Sequence, residues 1–87
     1  MDYKKAAIID VRTPQEFASG HMPKSINIPL QEITQRVHEI KDLNQPIVLC
    51  CASGNRSGQA AIYLNNFGIE CENGGSWMET QANLGNI

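Results

Sequence analysis

The chain has 87 residues, of which 41% are hydrophobic and 18% are charged, and this is the composition of one small globular domain. Seven Lys and Arg residues against nine Asp and Glu residues give a formal net charge of -2, which disfavours nucleic acid and anionic membranes as partners. We expect one monomeric domain over residues 1–87. The apolar run at residues 6–9 is too short for a secretory leader, so we expect a cytoplasmic protein, or a periplasmic one if a leader has been removed.

The three cysteines, Cys50, Cys51 and Cys71, are expected to be reduced thiols. Three cysteines cannot all pair within one molecule, and a single bridge would be sparse for a small secreted domain held together by disulfides. Neither histidine stands at a zinc-ligand spacing from a cysteine, so we expect no structural metal.

The chain begins with a strand pattern that is followed by a helix start. Residues 6–11 form a nearly continuous apolar run rich in β-branched residues, as in a parallel strand that is buried on both faces. Thr13 and Glu16 stand at the spacing of a capping box, with Pro14 at the first helical position. The pattern predicts a short helix that ends near Gly20.

A second strand and a longer helix are predicted next. Residues 25–29 alternate in polarity and end in a proline, which is typical of a short strand near the edge of a sheet. Apolar residues then repeat at helical spacing, at Leu30, Ile33, Val37 and Ile40. This repeat predicts one amphipathic helix that ends at about Lys41.

The second half of the chain repeats the alternation of strand and helix patterns. Residues 47–50 form another apolar run, which we expect to lie inside the sheet beside residues 6–11. Residues 57–67 predict a helix closed by Gly68. Its inner face is expected to carry Ala60, Ala61, Leu64 and Phe67.

The last predicted elements are a strand at residues 69–72 and one or two helical turns around Trp77. Strands that alternate with helices through short loops imply an α/β fold with a parallel sheet and helices on both faces.

The most informative segment joins the strand at residues 47–50 to the next helix. This segment, called the cysteine loop below, comprises Cys51, Ala52, Ser53, Gly54, Asn55, Arg56 and Ser57. It follows the carboxyl end of a buried strand, where open α/β sheets bind ligands. Small residues let successive N–H groups point inward, and the helix adds its own unpaired N–H groups and the positive end of its dipole. The loop therefore predicts an anion site that favours the Cys51 thiolate, assisted by Arg56. A small buried cysteine beside an ordinary turn is the alternative.

Several motifs together resemble the rhodanese-like sulfurtransferases. The pattern Cys-x-x-Gly-x-Arg-Ser, which starts at Cys51, is similar to the active-site loop of that family. Further segments match its amino-terminal signature and its closing segment in order and spacing, namely Asp10-Val11-Arg12, Glu16-Phe17, Gly20-His21-Met22, Ile26-Asn27-Ile28-Pro29 and Gly74-Gly75 with Trp77. The resemblance covers nearly the whole chain and is strongest to the small single-domain, phage-shock type.

This resemblance implies a rhodanese-like three-layer fold, with a small central parallel sheet, and a sulfurtransferase activity. In such a reaction a sulfane sulfur moves from thiosulfate or a persulfide to Cys51, and then to cyanide or to a thiol acceptor such as thioredoxin or glutathione. Cys51 is the expected nucleophile. The residues expected to bind the small anionic donor are Ala52, Ser53, Gly54, Asn55, Arg56 and Ser57. No metal or organic cofactor is implied.

Two other functions stay open. Counted from Cys50, the loop reads Cys-x5-Arg-Ser, which resembles the phosphate loop of cysteine-dependent phosphatases and would suit a phosphatase or an arsenate reductase. In that pattern the glycine lies three positions after the cysteine, and Gly54 has this spacing from Cys51 instead. The other alternative is a catalytically idle rhodanese-like binding module, although such modules commonly lack the cysteine.

Four further residues have structural roles as their first interpretation. Asp10 and Arg12 are expected to form an ion pair or hydrogen bonds that tie the strand to a loop. Cys71 is expected in the core, with a resolving thiol as the alternative. Trp77 is expected to pack over a sheet edge.

Overall fold

Four short strands form one parallel sheet at the centre of the computed structural model, which describes residues 5–84. The strands are β1 (Ile8–Asp10), β2 (Ile26–Asn27), β3 (Ile47–Cys51) and β4 (Cys71–Ser76), in the spatial order β2-β1-β3-β4. All three strand pairs are parallel. The two apolar runs thus form adjacent inner strands, every residue of which is buried, and the proline-ended strand lies at an edge, as predicted.

Helices cover both faces of this sheet. They are α1 (Pro14–Ala18), a 3-10 helix (Leu30–Gln35), α2 (Val37–Lys41), α3 (Asn55–Asn65) and α4 (Trp77–Leu84). The larger core cluster joins one face of the sheet to α3, α2 and the 3-10 helix, through side chains such as Ile9, Leu49, Leu64, Ile40 and Ile33. The smaller cluster, which contains Ile8, Met22, Val48 and Cys50, packs against Trp77 and Leu84 of α4. The predicted three-layer α/β fold is confirmed.

The start of α1 has the predicted capping box. The Thr13 hydroxyl accepts a hydrogen bond from the Glu16 backbone N–H at 3.2 Å, and the Glu16 carboxylate accepts one from the Thr13 backbone N–H at 3.0 Å. These contacts satisfy two N–H groups that a helix start leaves without partners.

The prediction of one helix from Leu30 to Lys41 is wrong. A 3-10 helix ends at Gln35, and Arg36, with φ -119° and ψ 22°, separates it from α2. The spacing of Leu30 and Ile33 fits a 3-10 helix as well as an α-helix, so the apolar repeat did not distinguish the two. Ile33 and Ile40 still point into the core.

The carboxyl-terminal elements differ from prediction in their bounds. Helix α3 begins at Asn55 and ends at Asn65, so Phe67 lies beyond the helix and is 49% exposed, whereas Ala60, Ala61 and Leu64 are buried as expected. Gly68 adopts the predicted left-handed conformation, with φ 78°.

The last strand was predicted at residues 69–72, but it begins at Cys71 and runs through Gly74 and Gly75 to Ser76. A register shift opposite Leu49 and Cys50 leaves Gly74 without a partner on β3. A Cβ atom at Gly74 would lie 2.5 Å from the Thr80 hydroxyl oxygen, so only glycine fits between the sheet and α4.

Among residues 5–84, no helix is both long and apolar enough to cross a membrane.

Candidate active site

The cysteine loop lies at the carboxyl end of β3. Cys51 is the last residue of that strand, and Gly54 caps α3 with φ 98°, a left-handed conformation that favours glycine. This turn directs the Gly54 backbone N–H to the Cys51 sulfur, at 2.9 Å. A Cβ atom at Gly54 would also come within 3.4 Å of the Gly75 Cα on β4.

Ser57 supplies two more donors to the same sulfur. Its hydroxyl lies 3.3 Å and its backbone nitrogen 3.5 Å from the Cys51 sulfur. Burial raises the pKa of the Cys51 thiol, but hydrogen bonds from the Ser57 hydroxyl and from the backbone N–H groups of Ser57, Ser53 and Gly54 outweigh it, so the pKa is lowered. The loop therefore favours the thiolate, which is the nucleophilic form of cysteine.

Cys50 has the opposite environment. Its side chain belongs to the smaller core cluster, on the face of the sheet away from α3, and it is fully buried. Burial and the neighbouring Asp10 carboxylate raise the pKa of Cys50 to about 12. A phosphatase loop counted from Cys50 would place a protonated thiol on the wrong face of the sheet, and this geometry disfavours that alternative.

Arg56 makes a contact that the sequence analysis did not predict. Its two terminal nitrogens donate to the two carboxylate oxygens of Glu16, at 2.7 and 3.0 Å. The Arg56 hydrogen bonds, followed by the Thr13 backbone N–H, lower the pKa of Glu16 to about 2. The residue that closes the capping box of α1 therefore also holds the one arginine of the cysteine loop.

Asn73 on β4 is a second residue that the sequence analysis missed. Its side-chain amide donates to the Gly54 carbonyl at 2.9 Å, and its oxygen accepts from the Gly75 backbone N–H at 3.0 Å. The Ser57 hydroxyl lies 2.6 Å from the same oxygen and 3.3 Å from the Cys51 sulfur, and its single proton is shared between these two acceptors. Asn73 thus connects both ends of the turn that surrounds the Cys51 sulfur. The only sequence signal was its position immediately before Gly74 and Gly75.

The six predicted donor-binding residues differ in accessibility. Ser57 is buried, and Gly54 and Arg56 are half-buried. The remaining three, Ala52, Ser53 and Asn55, are exposed along the rim of the loop. The structure thus brings all six to one turn beside Cys51, where an incoming anion would meet N–H groups at the start of α3.

A buried ion pair ties the end of β1 to the turn at Gly20. Arg12 donates to both carboxylate oxygens of Asp10, with a shortest distance of 2.7 Å, and also to the Gly20 carbonyl at 2.7 Å. The Arg12 guanidinium lies 5.4 Å from the centroid of the Trp77 ring. The predicted tie between a strand and a loop is confirmed, because this pair joins the end of β1 to the turn at Gly20. Trp77, on α4, packs against the smaller core cluster.

Cys71 lies too far from Cys51 for a disulfide. Cys71 pairs with Ile47 at the start of β3, and Cys51 is at the end of that strand, four residues or about 13 Å away. The Cys71 side chain packs against the larger core cluster, as expected, so a resolving role within the same molecule is excluded.

These features define an α/β domain that carries a hydrogen-bonded cysteine at the carboxyl edge of its parallel sheet. The chain belongs to the rhodanese-like domain family, whose model matches residues 1–81. The family membership predicted from the motifs is confirmed.

Two curated relatives and one solved structure illustrate this membership. The chain is 42% identical over 59 residues to thiosulfate sulfurtransferase GlpE of Pseudomonas syringae pv. syringae (strain B728a), covering 68% of this chain and 55% of that protein. It is 38% identical over 69 residues to thiosulfate sulfurtransferase PspE of Escherichia coli (strain K12), covering 77% of this chain and 66% of that protein. A structure described as rhodanese with anions from E. coli has a TM-score of 0.76 and 34% identity, covering 85% of this chain and 89% of that one. The chain spans about half to two thirds of the length of these curated relatives.

Proposed function

We propose that this chain is a sulfurtransferase that moves a sulfane sulfur from thiosulfate or a persulfide to a thiol or cyanide acceptor, through a persulfide on Cys51. The observation that carries the proposal is the Cys51 sulfur itself, which receives hydrogen bonds from Gly54 and Ser57 and has a lowered pKa. A stabilised thiolate is what the first step needs. The names of the two curated relatives, both thiosulfate sulfurtransferases, support the same reaction class.

The first step is a displacement at sulfur. The Cys51 thiolate attacks the outer sulfur of thiosulfate, the bond between the two thiosulfate sulfurs breaks, and sulfite leaves with the bonding electron pair. The terminal sulfur of the new persulfide carries the negative charge. N–H groups of the cysteine loop and the start of α3 are suited to stabilise that charge, and Arg56 retains N–H donors beyond those bound to Glu16.

The second step regenerates the thiolate. Cyanide or an acceptor thiolate, such as that of thioredoxin or glutathione, attacks the terminal sulfur, and the S–S bond breaks with its electrons returning to Cys51. Thiocyanate or an acceptor persulfide is the product. The rim residues Ala52, Ser53 and Asn55 are exposed, so an acceptor has access to the loop.

The intact mass of the protein after incubation with thiosulfate tests this proposal. We expect one added sulfur atom on the wild-type chain, removal of that atom by cyanide, and no addition to the Cys51→Ser variant. The same samples are assayed with p-nitrophenyl phosphate. Phosphate release without sulfur addition would support the phosphatase alternative. If the protein neither gains sulfur nor releases phosphate, the idle binding module is supported.

A further inference from the structure

Glu16 contacts the proposed donor site through its side chain, although the first role of this residue is to cap α1. Both of its carboxylate oxygens bind Arg56, and the side chains of Glu16 and Arg56 are 37% and 32% exposed. The pair therefore lies at the surface beside the cysteine loop. Arg56 is also close enough to Cys51 for the thiolate charge to raise the arginine pKa, after the larger effect of the Glu16 hydrogen bonds.

The four charged side chains beside the loop cancel in two pairs. Arg12 is neutralised by Asp10, and Arg56 by Glu16, so neither arginine adds net positive charge. The Cys51 thiolate then leaves one net negative charge among these five groups. A donor with two negative charges is repelled more strongly by this arrangement than a donor with one.

We propose that Glu16 is a specificity-determining residue whose carboxylate cancels the charge of Arg56 and so selects against doubly charged sulfur donors. This inference rests on the proposed sulfurtransferase function and names its donor class, which is persulfides and other sulfane donors with a single negative charge. Arg56 keeps N–H donors for the substrate, because a guanidinium has five and Glu16 occupies two. The site thus offers N–H donors, while Glu16 offsets the attraction of the Arg56 charge for a dianion.

Two donors that differ by one charge provide the test. Thiosulfate has two negative charges, and the methanethiosulfonate anion has one, while both present an outer sulfur on a sulfonyl group. Attack by the Cys51 thiolate releases sulfite from thiosulfate and methanesulfinate from methanethiosulfonate, and leaves the same Cys51 persulfide. Cyanide then takes the terminal sulfur as thiocyanate, so one product measures both donors.

Glu16→Gln is the informative variant because glutamine also completes a capping box. We expect this variant to raise kcat/KM for thiosulfate roughly two- to fivefold, the range that follows from the energies of exposed ion pairs. The increase in kcat/KM for methanethiosulfonate should be smaller. Glu16→Asp keeps the charge and should keep the donor preference of the wild type. Glu39→Gln is the matched control, because Glu39 of α2 also binds an arginine, Arg36, through both of its carboxylate oxygens.

The outcomes separate this inference from the proposed function. If the wild type forms thiocyanate from neither donor, the sulfurtransferase proposal fails. If the wild type forms thiocyanate but Glu16→Gln leaves the ratio of the two kcat/KM values unchanged, or lowers both equally, Glu16 only orients Arg56 and the inference is overturned. Support requires a ratio that shifts toward thiosulfate in Glu16→Gln and returns toward the wild-type ratio at high salt, where charges are screened.

Discussion

Cys50 and Cys51 are neighbours in sequence but lie on opposite faces of the parallel sheet, one in each core cluster. Alternation along β3 places the Cys51 sulfur under the cysteine loop and the Cys50 sulfur among Ile8, Met22 and Val48. Only Cys51 has its pKa lowered, whereas that of Cys50 is raised to about 12. The doubled cysteine therefore places one thiol under the cysteine loop, where its thiolate is favoured, and one thiol in the core.

The first prediction follows from this division. Cys51→Ser should abolish sulfur transfer from thiosulfate to cyanide, because no thiolate then faces the loop. Cys50→Ser should retain most of the activity and lose stability instead, since a hydroxyl replaces a buried thiol. Thiocyanate formation and urea unfolding measure the two effects. An inactive but folded Cys50→Ser protein would contradict the assignment.

Arg56→Ala should lower kcat/KM for thiosulfate by about tenfold, the low end of the range for a hydrogen bond to a charged group. The loss has two sources, because the variant removes a donor and also leaves the Glu16 carboxylate unpaired. The double variant Glu16→Gln/Arg56→Ala separates them and should recover part of the loss. Steady-state kinetics at fixed ionic strength measure both, and unchanged kinetics in Arg56→Ala would mean that Arg56 does not contact the donor.

The fold and the position of the cysteine loop were predictable because they depend on local patterns. The two apolar runs are too short for helices and rich in strand formers, and the spacing to Gly54 fits Cys51 better than Cys50. Contacts between segments distant in sequence were not predictable in the same way. Glu16 and Arg56 are 40 residues apart, and Asn73 is 16 residues from Ser57, so no local spacing relates these pairs.

The break at Arg36, between the 3-10 helix and α2, shows a second limit of prediction from the sequence. A spacing of three residues between apolar positions is satisfied by both helix types, so the buried positions of Ile33 and Ile40 do not show where one helix ends and the next begins. The bounds of β4 depended likewise on close packing between Gly74 and Thr80. A strand propensity scale penalises glycine, so it does not predict a strand through Gly74.

Asn73 gives a prediction about the loop. Asn73→Ala should reduce the free energy of unfolding by about 1–3 kcal/mol, because it removes the hydrogen bonds to Gly54 and Ser57. Asn73→Asp should raise the pKa of Cys51, because it adds a negative charge next to the Ser57 hydroxyl. Asn66→Asp is the control, since Asn66 lies past the far end of α3, about 16 Å along the helix axis from Asn55 at its start. Equal Cys51 pKa values in Asn73→Asp and the control would show that Asn73 does not act on the sulfur.

The Asp10–Arg12 pair predicts a large stability effect. Both side chains are nearly inaccessible, with 0% and 6% exposure, so removing one partner leaves an uncompensated buried charge. Asp10→Asn or Arg12→Met should each cost about 3–5 kcal/mol of unfolding free energy. The double variant should cost less than the sum of the two, because it buries no unpaired charge. Additive losses in urea titrations would show that the two side chains do not interact.

The last prediction concerns ionisation of the Cys51 thiol. The loop donors lower the pKa of Cys51 despite its burial, so its thiolate population should reach half at a pH below the free-cysteine value of about 8.5. Because only the thiolate reacts with iodoacetamide, the alkylation rate should rise with pH and level off above that midpoint. The measurement uses a Cys50→Ser/Cys71→Ser background, so that every modified sulfur is Cys51. Ser57→Ala in this background removes the strongest of the donors that lower the pKa, and should shift the midpoint to higher pH. A midpoint at or above 8.5 in a folded protein would contradict the anion-binding role of the loop and favour a binding module that retains its cysteine without using it.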